Sequence, residues 1–300
     1  MLKIAWTPEY CHKLPEGHRF PMEKYDLIPE QLLHEGTITR SNLFAPSGLC
    51  EEEIIRTHDR EYWNKLKGLK LSRSEERKTG FPLSEQLVRR ETIIAQGTIE
   101  CAGYALESGI AMNVAGGTHH AFTNRGEGFC LLNDIALAAN HLLLQGLAKQ
   151  ILVVDLDVHQ GNGTAEIFKN EDRVFTFSMH GAGNYPYFKE QSDLDIPLDD
   201  GTDDDTYLEL LEENLHELIQ SLKPDFIFFQ SGVDVLNTDK LGRLGLSING
   251  CRERDRMVLQ ACRDNGIPVV VVMGGGYSRE IRYIIEAHAN TFRLAQQLYF

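Results

Sequence analysis

The sequence has no apolar run long enough to cross a bilayer: the longest, such as Ile267 to Met273, are far shorter than the about 20 residues a spanning helix needs. It also lacks an N-terminal basic stretch followed by an apolar segment and a cleavage site, so a cytoplasmic protein with no membrane partner is expected. Positive charge is scarce. Thirty Lys and Arg stand against 44 Asp and Glu, a net charge of −14, which argues against general nucleic-acid binding and would suit basic substrates or partners. The six cysteines, Cys11, Cys50, Cys101, Cys130, Cys251 and Cys262, form no CxxC pair and no small-domain framework, so they read as reduced, small buried side chains. No repeat, low-complexity tract or linker interrupts the 300 residues, and an α/β core can grow to this size, so one domain spanning residues 1–300 is expected. With 42% hydrophobic and 25% charged residues, the chain is not disordered.

What is present is a series of short β-rich runs separated by longer amphipathic stretches, the pattern of a parallel sheet covered by helices on both faces. Strands are expected at Lys3–Trp6, Ile110–Val114, Ile151–Val154, Val174–Ser178, Phe226–Phe229 and Pro268–Met273. Between Thr206 and Leu222, the residues Tyr207, Leu211, Leu215, Leu218 and Leu222 fall at helical spacing behind Asp203, Asp204 and Asp205, whose negative charge suits a helix N-terminus. Residues 64–80 are polar and basic without a clear period, and are expected to form a surface loop.

The unusual residues follow the strands. "VVDLDVHQGNG" (153–163) begins as a buried strand, then places Asp155, Asp157 and His159 on alternate positions. If the extended conformation persists, all three share one face, and burying them is costly unless something pairs with their charge. "AGGTHHAF" (115–122), "MHGAGNYPY" (179–187), "QSGVDVL" (230–236) and "GGGY" (274–277) each follow another strand, so five segments meet at the edge where open α/β sheets bind ligands. Asp157, His159 and Asp234 form a plausible three-ligand site for Zn²⁺, and their mixed donors also suit Fe²⁺, Mn²⁺ or Co²⁺. The plainer alternative is that the two aspartates cap the next helix and His159 is a turn residue. His119 and His120 are candidate general bases, Asp155 is placed to orient one of them, and Tyr277, on a flexible-looking glycine turn, could donate to a developing oxyanion.

With "GGTHHAF" (116–122), "GEGFCLLND" (126–134), "VVDLDVHQGNGT" (153–164), "SGVDVL" (231–236) and "GGGY" (274–277) in this order, the chain from about Pro8 to Tyr277 resembles the histone deacetylase family of metal-dependent acyl-lysine hydrolases, in the arginase/deacetylase superfamily. "GHRFPMEKY" (17–25), "RKTGFP" (77–82) and "LNTDKLGRLGLS" (236–247) look most like class IV members and their bacterial relatives. The resemblance implies a single-domain arginase/deacetylase-like α/β fold with a central, mostly parallel sheet. It implies that Asp157, His159 and Asp234 hold one zinc ion, that His119 and His120 form the acid/base pair, and that Asp155 supports His119. Tyr277 would polarise the acyl carbonyl. A structural K⁺ or Na⁺ is implied near Asp155, Asp157, His159, Ser178 and Met179. Phe129 and Tyr185 match the aromatic pair lining the acyl-lysine channel, with Gly128 beside it and Leu241 near its mouth. Asn162 stands where class I members have an aspartate behind the second histidine, and a neutral amide supports an imidazolium less well, so the division of acid and base work between His119 and His120 stays open.

The implied reaction is removal of an acetyl or longer acyl group from the ε-amine of lysine in a protein or peptide by metal-activated water. Acetylpolyamines or other small acylated amines are the alternative substrates, and a non-catalytic acyl-lysine binder is a further reading. The two-manganese ureohydrolases of the same superfamily need aspartates where this chain has Gly161 and Leu236, which leaves their second metal without ligands.

Overall fold

In the computed structural model, which describes residues 1–300, each expected strand lies in one sheet. The strands are β1 (Lys3–Ala5), β2 (Leu43–Phe44), β3 (Ile110–Asn113), β4 (Ile151–Asp155), β5 (Val174–Gly181), β6 (Leu194–Leu198), β7 (Phe226–Gln230) and β8 (Val269–Val272). Their order is β2-β1-β3-β8-β7-β4-β5-β6, and every neighbouring pair is parallel. The sheet expected to be mostly parallel is thus wholly so. Every residue of β3, β4, β7 and β8 is buried, and because strand side chains alternate between faces, both faces must be covered. Phe226, Phe228 and Phe229 on β7 are wholly enclosed, each contributing on the order of 1.5–3 kcal/mol by leaving water. The two strands that sequence reasoning missed, β2 and β6, lie at the edges; one has two residues and the other contains Pro197, which an edge tolerates.

The covering helices are α1 (Lys24–His34), α2 (Glu51–Ile54), α3 (Arg60–Lys67), α4 (Arg73–Thr79), α5 (Glu85–Ser108), α6 (Asp134–Leu144), α7 (Asn162–Phe168), α8 (Asp204–Leu222), α9 (Ile248–Asp264) and α10 (Ile281–Tyr299). On α8 the expected apolar stripe is buried at Tyr207, Leu211, Leu215 and Leu218, and Asp203 is its N-cap, accepting from the Thr206 N–H at 3.1 Å. No helix is long and apolar enough to cross a membrane. All six cysteines are unpaired.

The expected surface loop at residues 64–80 is a misreading: it holds the end of α3 and all of α4. α3 buries Tyr62, Trp63 and Leu66 on a face whose first two residues lie before position 64. α4 has almost no apolar residue, so periodicity could not reveal it. It is made by a reciprocal cap, in which the Ser72 N–H donates to Glu75 Oε2 at 2.7 Å and the Glu75 N–H to Ser72 Oγ at 3.2 Å, and it ends at Gly80 in the left-handed conformation (φ 78°).

Candidate active site

The carboxyl ends of β3, β8, β7, β4 and β5 lie side by side, and each carries one of the unusual segments. β4 stops at Asp155, so the expectation that Asp155, Asp157 and His159 share one strand face fails. The carboxylates themselves bend the chain: Asp155 Oδ1 accepts from the Asp157 N–H at 3.1 Å, and Asp157 Oδ1 from the His159 N–H at 3.0 Å. Asp155 turns to His119, whereas Asp157 and His159 turn to Asp234. The aspartates do not cap α7, whose N-cap is Gly161 with no side-chain hydrogen bond. The glycines after His159 allow close approach, since a Cβ at Gly163 would strike the Ala121 carbonyl and one at Gly161 the Asp155 carboxylate.

Asp157, His159 and Asp234 each present a ligand atom within 4.8 Å of the others, and all three residues are buried. His159 Nδ1 lies 3.0 Å from Asp157 Oδ1 and 3.2 Å from Asp234 Oδ2. The second contact is not a well-directed hydrogen bond, so Asp234 Oδ2 is a buried oxygen with no donor of its own. The other oxygens are held by backbone: Val158 N–H donates to Asp234 Oδ1 at 3.1 Å, and Gly275 N–H to Asp157 Oδ2 at 2.7 Å. Burial opposes charge on His159, but the hydrogen bond to Asp157 and the charges of Asp157 and Asp234 outweigh it and push its pKa up to about 10. Burial and the neighbouring Asp157 push Asp234 up to about 6. Two enclosed carboxylates, one of them with an orphaned oxygen, closing on a buried imidazole nitrogen are what a divalent cation would satisfy, and the donor set fits zinc or a similar first-row ion.

His119 and His120 stand beside this cradle with ring centroids 4.1 Å apart. His119 Nδ1 is 2.7 Å from Asp155 Oδ2, and His120 Nδ1 is 2.6 Å from Asn162 Oδ1. An oxygen acceptor at each Nδ1 fixes its proton there and leaves Nε2 to receive or release one. The two rings differ in charge preference. For His119, burial favours the neutral form, but the Asp155 and Asp157 carboxylates raise its pKa above the usual value. For His120, burial and then the neighbouring His119 and His159 lower it well below that value, with Asn162 only partly offsetting them.

A cavity of about 530 Å³ leads from the surface to this point, and His120, Gly128, Phe129, His159, Tyr185, Leu241 and Tyr277 all line it. Every expected channel residue is therefore brought to one tunnel. Burial, followed by the Asp234 and Asp157 charges, raises the Tyr277 pKa well above its usual value and keeps the phenol a donor. The glycine turn before it is pinned rather than flexible. Gly275 O accepts from Val233 N–H at 2.9 Å, and Gly274 O accepts from the fully buried Lys24 Nζ at 2.9 Å. Asp239 Oδ2 accepts from the Tyr277 N–H at 2.6 Å, while its Oδ1 holds the N–H groups of Leu241 and Gly242 at 2.8 and 2.9 Å. Asp239 and Lys24 were missed by sequence reasoning, although they lie within "LNTDKLGRLGLS" and "GHRFPMEKY". Missed too were Phe20 and Phe81, whose rings back Phe129 at 5.1 and 5.2 Å. Ser178 is the register partner of Asp155, so of the residues expected around a monovalent cation Asp155 lies beside Ser178 and Met179 of β5, and Asp157 and His159 follow in the turn after β4.

A family profile described as a histone deacetylase domain matches residues 18–292. An uncharacterised protein of Picosynechococcus sp. is 42% identical over 99% of both chains. Histone deacetylase 2 of Arabidopsis thaliana is 29% identical over 89% of this chain and 72% of its own. Among solved structures, a histone deacetylase homologue complexed with SAHA superposes with a TM-score of 0.82 at 25% identity, covering 98% of this chain and 82% of the other.

Proposed function

The chain belongs to the histone deacetylase family of hydrolases, and from that premise we propose that it removes acyl groups from the ε-amine of lysine, using Asp157, His159 and Asp234 to hold a single zinc ion. The observation that carries this reading is the convergence, at the base of one aromatic-walled cavity, of an unsatisfied carboxylate cradle, two oriented imidazoles and a protonated phenol. When bound, the ion supplies electrophilic polarisation of the acyl carbonyl and acidification of water. Two carboxylate ligands donate more charge than neutral imidazoles would, so a general base beside them is needed.

His119 and His120 serve that need. Their free Nε2 atoms take the proton of the attacking water and return it to the nitrogen of the leaving amine. Asp155 orients His119 and stabilises its imidazolium, whereas Asn162 orients His120 without adding charge. Tyr277 donates its O–H to the carbonyl oxygen as charge develops there. Gly128, Phe129, Tyr185 and Leu241 take the neutral acylated side chain, and the ammonium product must give up more hydration to stay in the tunnel, which favours release. Asp155, Asp157, His159, Ser178 and Met179 would hold a potassium or sodium ion chiefly through main-chain oxygens, stiffening the end of β4.

The test is turnover of acetyl-, trifluoroacetyl- and myristoyl-lysine fluorogenic substrates by zinc-loaded protein. Hydrolysis of at least one is expected. Tight binding of these compounds with no hydrolysis of any would identify a binder instead of an enzyme.

A further inference from the structure

The mouth of the tunnel carries the opposite charge to the chain as a whole. Net charge is −14, yet the charged residues lining the mouth are Arg19, Arg77, Lys78, Arg243 and a single acid, Glu127. Glu127 is already engaged, accepting from Tyr185 Oη at 2.7 Å and from Arg125 Nε at 2.8 Å. Arg243 faces Asp200 at 3.4 Å. Arg19, Arg77 and Lys78 are exposed and take part in none of the ion pairs.

These cations are built onto the tunnel wall. The Lys78 and Thr79 carbonyls accept from the N–H groups of Gly128 and Phe129 at 3.0 and 2.7 Å, so the last turn of α4 is tied to the residues that line the channel. The Arg19 guanidinium lies 4.9 Å from the Phe129 ring centroid. Its neighbour His18 bonds the Gly80 carbonyl at 2.9 Å and stacks on Phe81. Three unpaired positive charges are thus anchored beside one opening.

We infer that the mouth selects acylated amines that carry negative charge on the amine side of the scissile bond. This rests on the hydrolase reading above for its orientation: the acyl group lies at the cradle, so the part of the substrate left outside is the body that bears the amine. Carboxylates there meet Arg19, Arg77 and Lys78, whereas a cationic body, such as an acylated polyamine or an acyl-lysine flanked by lysines, meets like charge. Net charge alone predicts the reverse preference, because it averages over surfaces the substrate never touches.

The experiment compares acetyl-lysine peptides flanked by aspartates or by lysines, together with N-acetylspermidine, on the full zinc-loaded chain. Both affinity, by fluorescence anisotropy or calorimetry, and kcat/KM are read. The acidic peptide is expected to bind and react better by on the order of tenfold or more at low salt, and the difference should shrink as salt screens the rim. Arg77→Ala with Lys78→Ala, or Arg19→Ala alone, should reduce the ratio, and Arg77→Lys with Lys78→Arg should restore it. Free Nε-acetyl-lysine against its amide separates a small-molecule carboxylate from an acidic peptide flank. Turnover without charge discrimination, or with preference for the basic substrates, overturns the inference and leaves the hydrolase reading standing. Tighter binding of the acidic peptide without any turnover does the reverse, and equal or absent binding of both peptides overturns the inference.

Discussion

Asn162→Asp should move the pH dependence of the reaction, and the structure sets the size of the move. Asn162 Oδ1 lies 2.6 Å from His120 Nδ1, and both residues are nearly inaccessible, so an isosteric carboxylate would face the imidazole at close range without water between them. With charge centres roughly 5 Å apart and an effective dielectric of about 20, the attraction is about 3 kcal/mol, or about two pKa units. Burial of the new carboxylate takes part of that back, leaving a rise of roughly one to two units on His120. His120 also faces His119 and His159, whose charges hold its pKa down in both proteins and so cancel in the comparison. If His120 must be neutral to accept a proton, the acid limb of kcat/KM against pH moves upward by that amount: the variant is slower at low pH and recovers at high pH. If His120 instead acts as the acid, the basic limb moves, which settles the division of work between the two histidines. An unmoved profile on both sides, with the variant folded and metal-loaded, refutes the assignment of His120 to proton transfer.

Three further outcomes follow from the geometry. Tyr277→Phe should leave metal content unchanged while lowering kcat about 10²–10³-fold, the cost of losing an oxyanion donor; near-normal turnover removes Tyr277 from the mechanism. Asp239→Asn offers one acceptor oxygen where two now serve the N–H groups of Tyr277, Leu241 and Gly242, so a loss of about 1–3 kcal/mol in stability should accompany a fall in kcat with little change in metal affinity. A drop in Tm with kcat intact would restrict Asp239 to a purely structural part. His58 is buried, with Nδ1 on the Phe122 carbonyl and Nε2 accepting from the Asn133 N–H, and burial pushes its pKa down from 6.5 to about 4. Between those values the unfolded chain binds a proton that the folded chain refuses, so about 3 kcal/mol of stability is lost as pH falls through that window. Urea unfolding of chelator-treated protein should show a steeper loss in wild type than in His58→Gln, and parallel curves would contradict it.

The sequence announced its chemistry where strands end. Asp157, His159, Asp234, His119, His120 and Tyr277 each follow a buried apolar run, and a parallel sheet brings such ends together whatever lies between them. The local path was harder to read, because alternation along "DLDVH" assumes a strand that the carboxylates themselves terminate. α4 escaped because a capping box, not an apolar stripe, makes it, although Ser72 and Glu75 were there to be seen. Lys24 and Asp239 act on backbone atoms remote in sequence, Gly274 O and the Tyr277 N–H respectively, and no spacing rule reports such contacts. The charge of the mouth was hidden for the same reason: Arg19 and the α4 cations meet only through Gly80, Gly128 and Phe129.

The central claim is that Asp157, His159 and Asp234 grip one divalent ion. Equilibrium dialysis of folded, chelator-stripped protein against zinc, read by elemental analysis, tests it most directly. One tightly held ion per wild-type chain, lost in Asp234→Asn while the variant's fold is retained, is the predicted result. A folded wild-type chain that binds none, or an Asp234→Asn variant that binds as tightly, contradicts the account.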